Sequence, residues 1–168
     1  TVHGINTTFD GTFPGRGPNP NEKTTGQASE KVRQAHADFA VAFDADADRG
    51  IVLDNTGRFV PPEKIAVIIA KNSEKIGNVV ASVDCSILLE RELNGTGIHV
   101  IRGKVGDVFM AQAVKKHHAL IGVERSGHFF LSSFHASDDP FVMSAKLSEI
   151  LSNTRTSLAA LADEIPEY

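Results

Sequence analysis

A chain of 168 residues with 41% apolar content can bury a substantial core, enough for one domain or two small ones. Its 17 basic and 21 acidic residues leave a net charge of −4 with no basic block, which argues against nucleic acid or an anionic membrane and favours small-molecule partners. The single cysteine, Cys85, excludes an internal disulfide framework and suits a reducing, cytoplasmic setting. The longest strongly apolar run, Ile65 to Ala70, is far too short to span a bilayer, and no secretory signal pattern opens the chain. The sequence starts at Thr1 without an initiator Met and is read as a piece of a longer protein.

In chain order, "FDGTFPGRGPNPNEK" is too rich in glycine and proline for anything but loop. "EKVRQAHA" predicts a helix over 30–37, and "DFAVAFD" a strand that sets Phe39, Val41 and Phe43 on one face. "RGIVLDNTGRFV" alternates around Asn-Thr-Gly and predicts a hairpin. Pro61 and Pro62 introduce a helix to about Lys75. Strand, helix, strand, helix and two strands follow in "NVVASVD", "SILLEREL", "GIHVIRG", "GDVFMAQAVKKHH", "ALIGVE" and "HFFLS". A last helix lies in "DDPFVMSAKLSEILS", with Asp139 as cap and Pro140 in its first turn. Strands alternating with helices of about ten residues predict an α/β fold, a mixed sheet sandwiched by helices. In such sheets functional loops gather at the carboxyl ends of the strands.

Three loops carry the chemistry. "FDADADRG" places Asp44, Asp46 and Asp48 two residues apart at a strand's end, so on extended or curling backbone the carboxylates share a face. Three converging carboxylates repel unless a cation sits among them, and an all-oxygen set selects Mg²⁺ or Ca²⁺. An EF-hand loop is excluded, because Arg49 and Asn55 stand where Gly and an acidic residue are required. An aspartate-nucleophile phosphatase, which opens with D-x-D after a strand, and a solvated acidic turn stay open. "GVERSGHFF" packs Glu124, Ser126 and His128 into one short connection, a set suited to binding a polyol as well as to an ordinary turn. In "GKVGDVF", Gly106 permits an unusual backbone angle and Asp107 is expected to cap the next helix; a plain helix start is the competing reading.

Together "DGTFPGRGPNP", "DADADR", "GKVGD" and "GVERSGH", in this order and at these intervals, resemble the α-D-phosphohexomutases over nearly the whole chain. The resemblance implies the C-terminal part of that family's domain 2 over residues 1–56 and its domain 3 over 57–168. It implies Mg²⁺ at Asp44, Asp46 and Asp48, a catalytic role for Arg49 beside the reacting phosphate, and His128 as a proton-handling or binding group. Glu124, Ser126, Gly106 and Asp107 are implied as substrate-binding positions. The implied reaction moves a phosphoryl group between C1 and C6 of a hexose phosphate, through an enzyme phosphoserine and a hexose 1,6-bisphosphate. Departures are equally legible. Val123 stands where the family's sugar loop has a second Gly before Glu, and no stretch matches the Ser-His-Asn-Pro loop of the first domain or the phosphate-gripping loop of the fourth. The implied partners are therefore the hexose phosphates and the parent's domains 1 and 4, and the chain alone is expected to be inactive. A non-catalytic metal or sugar-phosphate-binding module is the further alternative.

Outside these loops, Cys85 reads as a small buried hydrophobe with no basic partner, and His117 and His118 as a helix end. His135 is a loop residue near the sugar strands, and Lys104 carries no assigned role.

Overall fold

A computed structural model describes residues 1–135 and 137–168. The first 25 residues form no helix or strand, in keeping with their glycines and prolines. Helix α1 (Gly26–Ala35) begins four residues ahead of the predicted start and ends where His36 takes left-handed backbone, φ 49°. Strands β1 (Phe39–Phe43), β2 (Gly50–Asp54) and β3 (Phe59–Val60) form an antiparallel sheet in the order β1-β2-β3. Its register pairs Phe43 with Gly50, so the residues between them, 44–49, form the loop at its end. The hairpin's return strand, Phe59–Val60, pairs with β2 and so belongs to this first sheet.

Helix α2 (Pro62–Lys71) is buried on nearly every side, which its run of Ile, Ala and Val allows. It stops short of Lys75. The Asn72 side-chain amide donates to the Ile68 carbonyl at 2.9 Å, a local bond that competes with another helical turn. Two buried ionisable groups near its start are satisfied: Glu63 accepts from the Ser86 N–H at 3.1 Å, and Lys64 Nζ donates to the Ala162 carbonyl at 3.0 Å.

The second sheet holds β4 (Asn78–Ser82), β5 (His99–Gly103), β6 (Ala119–Val123) and β7 (Phe129–Phe130) in the order β5-β4-β6-β7. The β4 pairings are parallel and the β6–β7 pairing antiparallel, so the sheet is mixed, as expected. Helices α3 (Leu88–Leu93), α5 (Pro140–Thr154) and α6 (Leu158–Asp163) join α2 in a core with Val79, Ala81, Ile121, Val123 and Phe129. On the other face Val80 and Phe130 pack against Met110 and Val114 of α4 (Asp107–Lys116). Alternate strand residues thus serve opposite faces, giving an α/β/α sandwich. Val52 and Val60 of the first sheet belong to the larger core, so the two sheets share one interior. Among the described residues no helix is long and apolar enough to cross a membrane.

Two further expectations shift. Helix α6 is an addition to the predicted elements, formed by helix-favouring Leu and Ala residues; Ser157 caps it by accepting from the Ala160 N–H at 3.2 Å. Strand β7 keeps only two of the five residues in "HFFLS".

Candidate functional site

The site forms where both sheets present their loops. At the end of β1 the chain curls through Ala47, whose φ of 62° is left-handed. That turn brings carboxylate oxygens of Asp44, Asp46 and Asp48 within 4.8 Å of one another. The small side chain at 47 matters here, because a β-branched residue resists positive φ.

The three carboxylates differ in surroundings. Asp44 is buried and receives both the Arg49 backbone N–H, at 3.2 Å, and the Arg49 Nε–H, at 2.6 Å. Burial works to raise its pKa, but those Arg49 contacts outweigh it and hold the carboxyl below its ordinary value. Asp48 goes the other way: burial, the adjacent Asp44 and the charge of Asp46 raise it against the opposing pull of His128. Asp46 is exposed. Among the described residues Asp48 Oδ1 is buried and accepts no hydrogen bond, its nearest cation being Arg49 Nε at 3.7 Å. An acceptor without a donor, in a carboxylate pushed towards its protonated form, is what a cation would correct. The all-oxygen donor set therefore fits a hard divalent ion with coordination positions to spare.

Two residues of the Gly/Pro-rich segment hold this loop from outside. Arg16 Nη2 donates to the Phe43 carbonyl at 2.5 Å, and Asn19 Oδ1 accepts from Arg49 Nη2 at 3.0 Å. The Gly/Pro-rich segment thus lies over the aspartate loop and fixes the Arg49 guanidinium from its far side. No periodicity could have revealed these partners; only their position in the proline-rich stretch hinted at a loop with work to do.

The second loop meets the first through backbone. Gly50 N–H donates to the Gly127 carbonyl at 3.0 Å, and Arg49 and His128 form an antiparallel bridge. Gly127 is required at this contact: its φ is 98°, and a Cβ would lie 3.0 Å from the Gly50 oxygen. His128 Nδ1 then sits 2.5 Å from Asp138 Oδ2 and 3.9 Å from Asp48 Oδ2. Asp48, His128 and Asp138 form a second close group of metal-ligating type, sharing Asp48 with the first.

Glu124, 3% exposed, spans the third loop: Oε1 accepts from the Gly106 N–H at 2.7 Å and Oε2 from Ser126 Oγ at 3.1 Å. Glu124, Ser126 and Gly106 are therefore brought together. The expected cap at Asp107 is corrected. Gly106 occupies the cap position with φ 123°, and Asp107, in the first turn, is exposed and makes no capping bond; its charge still suits a helix start. Lys104 points its Nζ over the Phe109 ring at 5.5 Å from the centroid.

The residues set aside fall elsewhere. His135 pairs with Asp139 at 3.0 Å, and Asp139 caps α5 by accepting from the N–H groups of Phe141 and Val142, as its sequence position predicts. Cys85 is buried as expected, but its loop does have a basic partner. The Arg102 guanidinium donates to the carbonyls of Ser82, Cys85 and Ser86 and pairs with Glu90.

Comparison with known proteins agrees with this fold. Residues 61–168 match the family described as phosphoglucomutase/phosphomannomutase, alpha/beta/alpha domain III, and residues 1–57 match its domain II. A phosphoglucomutase/phosphomannomutase of Thermococcus kodakarensis is 34% identical over 99% of this chain and 37% of its own length. A phosphoglucosamine mutase of Methanocaldococcus jannaschii is 31% identical over 99% of this chain and 39% of its own. Among solved structures, a phosphoglucomutase/phosphomannomutase family protein from Burkholderia thailandensis superposes with a TM-score of 0.86 at 25% identity, covering 97% of this chain and 36% of the other. The chain thus spans less than half the length of the curated relatives it matches. With domain-model matches along both sheets and similarity to such mutases over nearly all of this chain, the chain belongs to the phosphoglucomutase/phosphomannomutase family.

Proposed function

We propose that this chain is the metal-binding and sugar-binding portion of a phosphohexomutase, which moves a phosphoryl group between C1 and C6 of a hexose phosphate. The observation that carries the reading is the junction of the two loops. Gly50–Gly127 and Arg49–His128 pairing joins the aspartate loop to the loop bearing Glu124, Ser126 and His128, which supports a single ligand contacting both. Division into a domain 2 segment up to about residue 57 and a domain 3 after it belongs to the same reading.

Each residue has a part. Asp44, Asp46 and Asp48 would hold Mg²⁺, which when bound neutralises charge on the phosphoryl oxygens. Arg49, fixed between Asp44 and Asn19, presents a cation to the same region. Phosphoryl transfer needs little more from a protein than positioning and charge neutralisation. Ser126, exposed at the loop's surface, and the Glu124 carboxylate supply a donor and an acceptor for sugar hydroxyls, with Gly106 holding Glu124 in place. His128 stands between the two as the proton-handling group. The phosphoserine of this reading comes from outside these residues, so the chain binds its ligands without turning them over. The phosphatase alternative loses ground in the geometry: Asp44, its nucleophile, is buried and clasped by Arg49.

Titration calorimetry with Mg²⁺ tests the reading. Wild-type chain is expected to bind one ion, and Asp46→Ala, which removes an exposed carboxylate with no structural bond among the described residues, to lose at least tenfold in affinity while staying folded. Equal affinity in the two would refute the metal assignment.

A further inference from the structure

We propose that Asp138 is a positioning residue for His128: it accepts the imidazole's Nδ1–H, fixes the ring in that tautomer and leaves Nε2 as the nitrogen with a free lone pair. The inference rests on the reading of His128 as the proton-handling group and names the device that would set which of its nitrogens serves.

Distance selects the partner. Two carboxylates approach Nδ1, but Asp138 Oδ2 stands at 2.5 Å and Asp48 Oδ2 at 3.9 Å, beyond hydrogen-bonding reach. Of these two carboxylates, Asp138 is therefore the one that can fix the proton on Nδ1. Its contact is short even for a charge-assisted bond, and both side chains are only 13% exposed, so water competes weakly for either partner.

The carboxylate is held as firmly as the ring. Asp138 pairs with Phe130 in an antiparallel bridge, and the next residue, Asp139, donates its N–H to the Phe129 carbonyl at 2.8 Å. Asp139 then caps α5, with Pro140 following it in the first turn. Backbone on both sides of the acceptor is thus pinned to β7, the strand that follows His128. The ring in turn lies 6.5 Å from the Phe130 ring. Strand β7 and the head of α5 together set one nitrogen of one imidazole, in the way a carboxylate orients histidine in other catalytic and metal sites. Of the two neighbouring aspartates, Asp139 is the helix cap that its position predicts, and Asp138 faces the imidazole.

Long-range ¹H–¹⁵N correlation spectra of the 168-residue chain test this, recorded near pH 8.5 where an ordinary imidazole is neutral. Wild type is expected to show a protonated Nδ1 and an unprotonated Nε2 for His128, as a single tautomer. Asp138→Ala is expected to lose that preference and shift towards Nε2–H. Asp138→Asn, which can offer an amide N–H to Nδ1 instead of a carboxylate, is expected to shift the same way with α5 intact. A wild-type ring protonated at Nε2 would overturn the proposal without recourse to any variant, and so would a tautomer unmoved in both variants. Mg²⁺ calorimetry on the same wild-type sample separates the two levels. Absent metal binding with the predicted tautomer would count against the mutase reading and leave the Asp138 assignment standing.

Discussion

Asp44 and Cys85 illustrate how one force, burial, gives opposite outcomes according to what the neighbours donate. Both are pushed by desolvation towards their neutral forms. Asp44 is rescued by Arg49 and stays a carboxylate. For Cys85 burial dominates, Glu63 and Asp84 add to it, and the Ser82 hydrogen bond with the charge of Arg102 only partly opposes it; the thiol is pushed up to about 11. At pH 8 that leaves roughly one thiol in a thousand ionised. Cys85 is accordingly expected to react with Ellman's reagent about a hundredfold more slowly in the native chain than after denaturation. Native reactivity equal to that of the denatured chain would contradict both the burial and the raised pKa.

At the scale of the element, the β2–β3 hairpin shows a turn built around one buried carboxylate. Asp54, 1% exposed, accepts from the backbone N–H groups of Thr56 and Arg58, from the Thr56 hydroxyl and from Arg58 Nε. Burial acts to raise its pKa, yet the Thr56 hydroxyl, the two N–H groups and the guanidinium together hold it below its ordinary value. A group depressed on folding stabilises the fold above its unfolded pKa and loses that contribution as pH falls through the folded pKa. Stability should therefore decline as pH drops below about 4, the ordinary carboxylate range. Asp54→Asn, which cannot accept at all of these positions, is expected to lower stability by about 1–3 kcal/mol at neutral pH and to flatten that acid decline. Urea titrations of both proteins at pH 7 and at about pH 2.5, below the ordinary carboxylate range, would show it; an Asn variant with wild-type pH dependence would remove Asp54 as the cause.

For the whole molecule, the question is whether the two sheets behave as one body. Val52 and Val60 share the larger core with α2, α5 and the second sheet, and the Phe43 ring stacks on Phe141 at 4.1 Å between centroids. The Ala159 N–H donates to Asn55 Oδ1 at 3.0 Å, and Arg58 reaches Asp163 at 3.0 Å. A chain so joined is expected to unfold in one cooperative transition by calorimetry. Gly50 lies at this junction, where a Cβ would come within 2.6 Å of Pro140 and 3.0 Å of Val41. Neither a proline ring nor a strand valine yields easily. Gly50→Ala should therefore cost about 1–3 kcal/mol and split or broaden the transition, while Gly11→Ala, in open space, should do neither. Two well-separated transitions in wild type would show that the sheets fold independently.

By itself the sequence determined the order of strands and helices, the mixed sheet, the aspartate loop at a strand's end and the cap of α5. Those features are written in local signals: apolar periodicity, Gly and Pro punctuation, and residue spacing that a few dihedral angles convert into geometry. What tertiary structure alone decided is which residues meet. Asn19 and Arg16 close on the aspartate loop from 30 and 27 residues away, Glu124 reaches the Gly106 N–H across 18, and Asp138 rather than Asp48 comes within hydrogen-bonding distance of His128 Nδ1. Helix α6 is different: Leu and Ala favour helix and Ser157 caps it, but six residues are too few to show a full apolar period, and packing against α2 holds so short a segment in place. Such pairings follow from how layers pack and where loops end, and differences near one ångström select between candidate partners that a linear reading leaves equal.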